Sequence, residues 1–153
     1  MATTFGGVPG TADLPPQFES ADGYRPSPDE DFMNGRQLEY FRQKLLAWKN
    51  SILRESEGTL VHLQSESLRE PDITDRASSE TDFSIELRTR DRQRKLITKI
   101  DAALRRIDQG EYGYCEVTGD PISLARLEAR PIATMTVEAQ ERHERQEKVS
   151  RDE

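Results

Sequence analysis

The stretch Glu70-Pro71-Asp72-Ile73-Thr74-Asp75-Arg76-Ala77 decides the fold, because it interrupts the longest run of helical periodicity in the chain. Apolar residues recur mostly at steps of three or four on both sides of it, over 38–63 and over 83–107, which is a helical period rather than a strand period. Pro71 lacks an N–H donor, and its ring keeps Glu70 out of the helical region. The two runs are therefore predicted to form an antiparallel hairpin, with arms of roughly 30 residues that extend about 45 Å.

Helix start and stop signals set the limits of this hairpin. Asn34 is a good N-cap, with Gln37 as its capping-box partner, and Gly110 suits the position after the last helical residue. Asp75, which is followed by Arg-Ala-Ser, can cap the second helix. The hairpin is therefore predicted over residues 34–109, with its first helix over about 35–69 and its tip at 70–77.

The segments outside the hairpin have no long periodic run. Residues 1–33 contain five of the eight prolines, which predicts an irregular segment that packs in part on the globular end. Residues 110–135 are turn-rich, with a helical turn expected at 124–129. Residues 136–153 are expected to contain a last helix, over about 137–149, capped by Thr134 or Thr136. The predicted fold class is mostly α: a long antiparallel coiled-coil hairpin, a small globular region and a C-terminal helix.

The composition excludes some classes of function. Hydrophobic residues make up 33% of the chain and charged residues another 33%, which is too little apolar surface for a large single core. The net charge of -7 argues against a protein that holds nucleic acid through its phosphates, so a protein partner is favoured. No apolar run approaches the roughly 20 residues of a membrane span, and no signal segment follows Met1. The expected location is therefore the cytoplasm.

Two charged clusters are candidate functional sites. Asp72 and Asp75 lie at the tip, where they either close the turn and cap the helix or reach into a cavity of another molecule. Two carboxylates alone would bind Mg²⁺ weakly, so no intrinsic metal site is predicted. Along the second helix, alternate arginines from Arg88 to Arg94 present cations to more than one side. This pattern favours contact with an acidic partner or an anionic ligand.

Several separate motifs, in the same order, resemble those of a known family. Besides the tip they are Phe83-Ser84-Ile85-Glu86-Leu87-Arg88-Thr89-Arg90-Asp91-Arg92, Lys95-Leu96-Ile97, Tyr112-Gly113-Tyr114-Cys115-Glu116 and Arg126-Leu127-Glu128-Ala129-Arg130-Pro131. Over residues 29–148 the chain resembles the DksA/TraR family of bacterial regulators, which bind RNA polymerase through its secondary channel. The resemblance says least about the first 28 residues.

The resemblance implies that the tip lies near the polymerase active site. The matching tip residues are Asp72, Asp75, Arg76 and Ala77. Arg88 and Arg92 match positions along the polymerase channel, where the β′ subunit is the expected partner. Such a factor destabilises promoter open complexes, as at ribosomal RNA promoters, and activates some biosynthetic promoters. The chain is then expected to be a monomeric regulator that is no enzyme and binds neither membranes nor specific DNA sequences.

The family acts with the alarmone ppGpp in the stringent response, and the resemblance implies that this nucleotide binds between the factor and the polymerase. The matching positions are Leu96, Lys99 and Arg130, and cations suit phosphate groups. One departure from the family is Gln140, where a basic residue is usual.

The family also holds a structural zinc ion with four cysteines, of which the chain keeps Cys115 alone. The other three positions are Thr118, Thr136 and Ala139, whereas a structural zinc site needs four N or S ligands. We therefore expect no bound zinc, and Cys115 is either a packed remnant or a redox-responsive thiol. The degenerate zinc-finger-like region at 110–135 is then expected to be held by the packing of Tyr112, Tyr114, Ile122, Leu124, Leu127, Ile132 and Val137.

Two other classes of function remain open. A transcript-cleavage factor also delivers an acidic hairpin tip to the polymerase, and cleavage of RNA in backtracked complexes would identify it. A coiled-coil adaptor unrelated to polymerase would neither co-purify with the enzyme nor compete for its secondary channel.

Overall fold

The part of the chain that the structure describes contains four helices, two long and two short. The computed structural model describes residues 14–67 and 73–152. Its helices are α1 (Gly35–Ser67), α2 (Ile73–Gln109), α3 (Leu124–Ala129) and α4 (Val137–Asp152). Within these residues the β structure amounts to one isolated bridge, between Tyr114 and Pro121. The predicted mostly α fold is confirmed. Residues 68–72, which include Asp72 and the first part of the tip predicted at 70–77, lie outside the described residues.

The two long helices form the predicted antiparallel hairpin. Three side-chain pairs connect the helices at distances of 2.6 to 2.8 Å: Arg42 with Asp108, Lys49 with Asp101, and Ser56 with Gln93. The residue numbers of the partners rise along α1 and fall along α2. This order fixes the relative direction and register of the two helices.

The predicted cap of α1 is present, with one change in its partners. The Asn34 side-chain oxygen accepts hydrogen bonds from the N–H groups of Arg36 and Gln37, at 2.9 and 3.0 Å. The buried Gln37 side chain accepts from the N–H of Met33 at 2.7 Å, one residue before the position that a capping box uses. The cap therefore ties the start of α1 to the N-terminal segment.

The start of α2 differs from the prediction. Because this helix begins at Ile73, Asp75 lies inside its first turn and is not its N-cap. The physical reason is that Pro71 restricts only the residue before it, so a helix can begin two residues later. At the other end, Gly110 has a positive φ of 77° and follows the last helical residue, as predicted.

The smaller helices agree with their predicted limits. Helix α3 spans the expected six residues, and the Ser123 side chain accepts from the N–H of Arg126 at its start. Helix α4 is capped by Thr136, whose hydroxyl accepts from the N–H of Ala139 at 3.2 Å. Beyond Gln140, residues 141–151 of α4 are exposed. In the part of the chain that the structure describes, no helix is long and apolar enough to cross a membrane.

One core joins the base of the hairpin to the C-terminal region. Its largest buried side chains, contributed by α1, α2 and residues 112–132, are Tyr40, Phe41, Leu45, Trp48, Ile52, Ile100, Ile107, Tyr112, Ile122, Leu127 and Ile132. Of the residues expected to pack the C-terminal region, Tyr114 and Leu124 are partly buried and Val137 is 45% exposed. Val137 was therefore wrongly assigned to this core, because it begins a helix of which mainly Ala139 faces inward.

Gly113 shows how closely the N-terminal segment approaches this core. Its φ is +91°, and a Cβ atom placed there would lie 2.7 Å from Cγ of Met33. Both facts require glycine, because other residues rarely adopt this φ and the space is filled by a buried side chain.

Farther from the base of the hairpin, apolar side chains are exposed to solvent: Val61 is 61% exposed and Ile85 is 54% exposed.

We predict that truncating two phenylalanines of the hairpin will have very different effects. Phe41 is fully buried, so Phe41→Ala is expected to lower the free energy of unfolding by about 3 to 5 kcal/mol. The matched control is Phe83→Ala, where the residue is 36% exposed and a loss below about 1 kcal/mol is expected. Urea unfolding followed by circular dichroism measures both. Equal losses would show that the stability does not reside in the base of the hairpin.

Candidate functional site

A groove lies where α2, the C-terminal region and the N-terminal segment meet. Its volume is about 420 Å³, within the range of roughly 300 to 1,000 Å³ that small-molecule sites occupy. We call it the cationic groove, and its lining residues are Leu14, Pro15, Trp48, Arg92, Lys95, Leu96, Lys99, Ala129, Arg130 and Ile132. Among the described residues that line the groove, four are cations and none is acidic.

Helix α2 supplies three of the four cations. Arg92, Lys95 and Lys99 follow one another at steps of three and four residues, so they lie on one face of the helix. Leu96 lies beside them, half-buried against the core. Arg94 lies off this face, where it pairs with Asp91 at 3.8 Å. The dense basic run predicted along α2 is thus divided between the groove and other surfaces.

Arg130 reaches the same groove from the C-terminal region. It is the C-cap of α3, and its N–H donates to the carbonyl of Arg126. The next residue, Pro131, is buried, and its carbonyl accepts a hydrogen bond of 2.7 Å from the Tyr112 hydroxyl. Burial raises the pKa of Tyr112 far above its usual value, so this hydroxyl stays a donor. These contacts fix the backbone that carries Arg130.

The electrostatics of the groove favour an anion. Within the described part of the chain, Arg92, Lys95, Lys99 and Arg130 form no ion pair, although ion pairs occur elsewhere on the hairpin base. Like charges brought together without counter-charges repel one another and raise the local positive potential. An anion that bridges them would remove this repulsion.

A second cavity, of about 500 Å³, adjoins the groove and shares Lys99, Arg130 and Ile132 with it. Gln140 lines this cavity, and its amide donates to the Glu144 carboxylate at 3.0 Å. At the position where the resemblance implies a cation, this chain therefore has a neutral side chain that is hydrogen-bonded to an acidic one. Lys99 and Arg130 stand between the two cavities and face both.

The hairpin tip is described in part. Asp75, Arg76 and Ala77 lie in the first turns of α2, and their side chains are not among those described. Asp72 falls outside the described residues altogether. Arg88 and Arg92 are exposed and lie four residues apart on one face of α2. Only Arg92 of this pair lines the groove.

Three of the four positions at which the resemblance implies zinc ligands, Cys115, Thr118 and Thr136, lie close together. Cys115 is buried, and it lies within hydrogen-bonding reach of Thr118 and of the backbone at Thr136. Burial alone would raise the pKa of its thiol. Hydrogen bonds from the Thr118 side chain and from backbone N–H groups outweigh burial and lower the pKa to about 7. Ala139, at the fourth position, is also buried.

Sequence reasoning missed several groove residues. The position of Lys95 could have been found from its spacing, because it lies three residues after Arg92 and four before Lys99. Nothing in the sequence marks Trp48 as more than a large apolar residue of the first helix. Leu14 and Pro15 carry no signal in the sequence that points to α2, since only tertiary packing brings them there.

Both halves of the described chain match family models. Residues 37–107 match the N-terminal domain of DnaK suppressor protein DksA, and residues 110–145 match the prokaryotic dksA/traR C4-type zinc finger. An RNA polymerase-binding transcription factor DksA of Caulobacter vibrioides is 73% identical over 129 residues, 84% of this chain and 91% of the relative. The protein of the same name from Escherichia coli K12 is 44% identical over 82% of this chain and 83% of its own length.

A solved structure shows the same fold. The structure of transcription factor DksA2 from Pseudomonas aeruginosa aligns with a TM-score of 0.74 at 38% identity. The alignment covers 78% of this chain and 94% of that one.

The zinc-finger match corrects one prediction. The expectation of no bound zinc does not stand, because a C4-type zinc finger at 110–145 points to a zinc-binding domain. Such a site uses four thiolates, and the chain has one cysteine. Residues 14–67 and 73–152 contain no group of three or more His, Cys, Asp or Glu side chains that could hold a metal. The side chains at these four positions therefore differ from the four thiolates of such a site. The proposed function does not depend on a metal ion.

We predict that the hydrogen bond beneath Arg130 contributes measurably to stability. Tyr112→Phe removes the buried donor to Pro131 and is expected to lower the free energy of unfolding by about 1 to 3 kcal/mol. The matched control is Tyr114→Phe, because the Tyr114 hydroxyl makes no hydrogen bond within the described residues, and a change below about 0.5 kcal/mol is expected. Thermal unfolding measures both variants. Identical midpoints would mean that the Tyr112 hydroxyl does not hold this backbone.

Proposed function

Because the chain belongs to the DksA/TraR family and is an RNA polymerase-binding transcription regulator, we propose that its hairpin enters the polymerase through the secondary channel, against the β′ subunit. The observation that carries this proposal is the hairpin itself, a two-helix arm with its core at one end. Helix α2 has 37 residues and is about 55 Å long. An arm of this shape can enter a narrow channel while its base remains outside.

In this proposal the tip acts near the polymerase active site. Asp72, Asp75, Arg76 and Ala77 are the tip residues, and Arg88 and Arg92 contact the channel along the arm. Support comes from the exposed position of both arginines on one face of α2. Their guanidinium groups suit carboxylates of a surrounding protein because they donate in a planar, bidentate geometry.

The factor would act by differential binding. If it binds polymerase conformations that precede the open promoter complex more tightly than the open complex, it shifts the equilibrium away from the open complex. Ribosomal RNA promoters, whose open complexes are expected to be the sensitive ones, would then be repressed. The factor breaks no bond and is not an enzyme, and it acts as a monomer in the cytoplasm with the polymerase.

The cationic groove is proposed as the factor's part of a ppGpp site. Leu96, Lys99 and Arg130 line it together, and charge-assisted hydrogen bonds from cations to phosphate oxygens are among the strong ones. The groove is open on one side, so the polymerase would complete the site. Lys99 lies 24 residues from Asp75 along α2, about 36 Å, so the nucleotide would bind far from the tip and strengthen docking of the arm.

We predict that Asp75→Asn separates binding from regulation. The amide keeps the size of the side chain but removes its charge. Affinity for polymerase is therefore expected to stay within about threefold, because most of the contact area is unchanged, whereas inhibition of a ribosomal RNA promoter is lost. The matched control is Asp82→Asn, an exposed carboxylate seven residues farther along the same helix, which should inhibit like the parent. In vitro transcription measures inhibition, and full inhibition by Asp75→Asn would refute the role of the tip.

We predict that Lys99→Ala and Arg130→Ala each weaken the response to ppGpp. Loss of one hydrogen bond to a charged group corresponds to roughly 1.5 to 3 kcal/mol, so about 10- to 100-fold more ppGpp should be needed for half-maximal effect. Inhibition without ppGpp should persist. Arg54→Ala, which removes an exposed cation of α1 outside the groove, is the control. Titration of ppGpp in transcription assays measures the shift, and an unchanged titration for both groove variants would exclude this site.

A further inference from the structure

We propose that Leu14 and Pro15 form an apolar wall that contacts the base of a phosphorylated nucleotide in the cationic groove, so that the groove selects a nucleotide over a simple phosphate. This inference rests on the proposed ppGpp site and adds residues that bind the part of the ligand without phosphate. Both residues come from the N-terminal segment, about which the sequence motifs say least.

The groove is lined by cations and by apolar side chains. Three cations lie on α2 and the fourth is Arg130, whereas the described residues that the N-terminal segment contributes, Leu14 and Pro15, are both apolar. Trp48, Leu96 and Ile132 add further apolar surface. Phosphate groups are matched by the cations alone. A purine base has large apolar faces, which gain free energy when they are removed from water against an apolar surface. The groove therefore offers cations for the phosphate groups of a nucleotide and apolar side chains for its base.

Leu14 is an exposed apolar side chain in the lining of the groove. Its side chain is 65% accessible to solvent, although it lines both the cationic groove and a neighbouring cavity formed with Phe18 and Lys44. A leucine held at the mouth of a groove leaves apolar surface in water until a ligand covers it. A single exposed apolar residue needs no explanation on a plain surface, but here it forms a side of a cavity that has the size of a small-molecule site.

The wall is held in place by contacts outside the groove. The Phe18 ring packs edge-on against Tyr40, with 5.4 Å between ring centroids, and Tyr40 is itself buried in the core of the hairpin base. The chain from Leu14 to Phe18 contains two prolines, which restrict its backbone. Leu14 is therefore presented by a fixed segment, only four residues from its anchor. A preformed wall loses little conformational entropy when the ligand binds.

The experiment measures binding to the complex of full-length factor and RNA polymerase. Labelled ppGpp is titrated into polymerase with and without the factor, and the increment that the factor causes is taken as the readout. Inorganic pyrophosphate is then used as a competitor that has the charge but lacks the base. Leu14→Ala is expected to weaken the ppGpp increment about five- to tenfold, the size expected for removing a few buried methyl and methylene groups, and to leave competition by pyrophosphate unchanged.

Two further variants separate the wall from a general loss of structure. Phe18→Ala removes the anchor without touching the groove lining and should reproduce the effect of Leu14→Ala. Gln17→Ala lies on the same segment, is exposed and does not line the groove, so it should bind ppGpp like the parent. Leu14 is exposed, so its replacement leaves the core intact, which circular dichroism checks.

The remaining outcomes distinguish this inference from the proposed function. If Leu14→Ala binds ppGpp like the parent while Lys99→Ala does not, the apolar wall is refuted and the ppGpp site stands. If both variants bind like the parent, the groove is not the nucleotide site and both proposals fail. If Leu14→Ala weakens ppGpp and pyrophosphate equally, the residue acts on the cations through the fold, and its contact with the base is refuted.

Discussion

The packing of α1 against the C-terminal region at the hairpin base is the constraint on which the rest of the structure depends. The rings of Phe41 and Tyr112 lie 5.6 Å apart, and the Tyr112 hydroxyl holds the carbonyl of Pro131. A two-helix arm cannot bury enough apolar surface along its length, as the exposure of Val61 and Ile85 shows. The arm therefore draws its stability from one end, which leaves the other end slender.

At the hairpin base, ion pairs determine how the helices are arranged more than they add to the free energy of unfolding. Lys44 of α1 is almost fully buried and lies 3.3 Å from Glu128 of α3, so removing either partner would leave an uncompensated charge in a poorly hydrated place. The pair fixes the position of α3 relative to the hairpin, and α3 ends at Arg130. The cationic groove is thus a consequence of how three separate segments are docked.

The proposed function places two tasks along one rod. The groove at the base gathers cations that form no ion pair within the described residues, whereas Asp75 lies at the other end of α2. Because α2 is continuous between them and pairs in register with α1 at the base, in this proposal a ligand that strengthens docking at the base would also position the tip. No covalent chemistry is needed for such a device, since its effect is a difference in affinity between states of a partner.

The sequence by itself determined the hairpin, the start of α1, the end of α2 and the family, because periodicity and the Asn34 and Gly110 signals are local and act over a few residues. It also placed Leu96 and Lys99 on one helix. Counting the possible zinc ligands around Cys115 led to the wrong expectation about zinc. The interpretation of Asp75 as a possible N-cap was also wrong, because an N-cap and a carboxylate in the first turn of a helix look alike in sequence. Only the tertiary structure decided that Arg130, Leu14 and Pro15 meet α2, because contacts between distant segments depend on docking angles that no local pattern encodes.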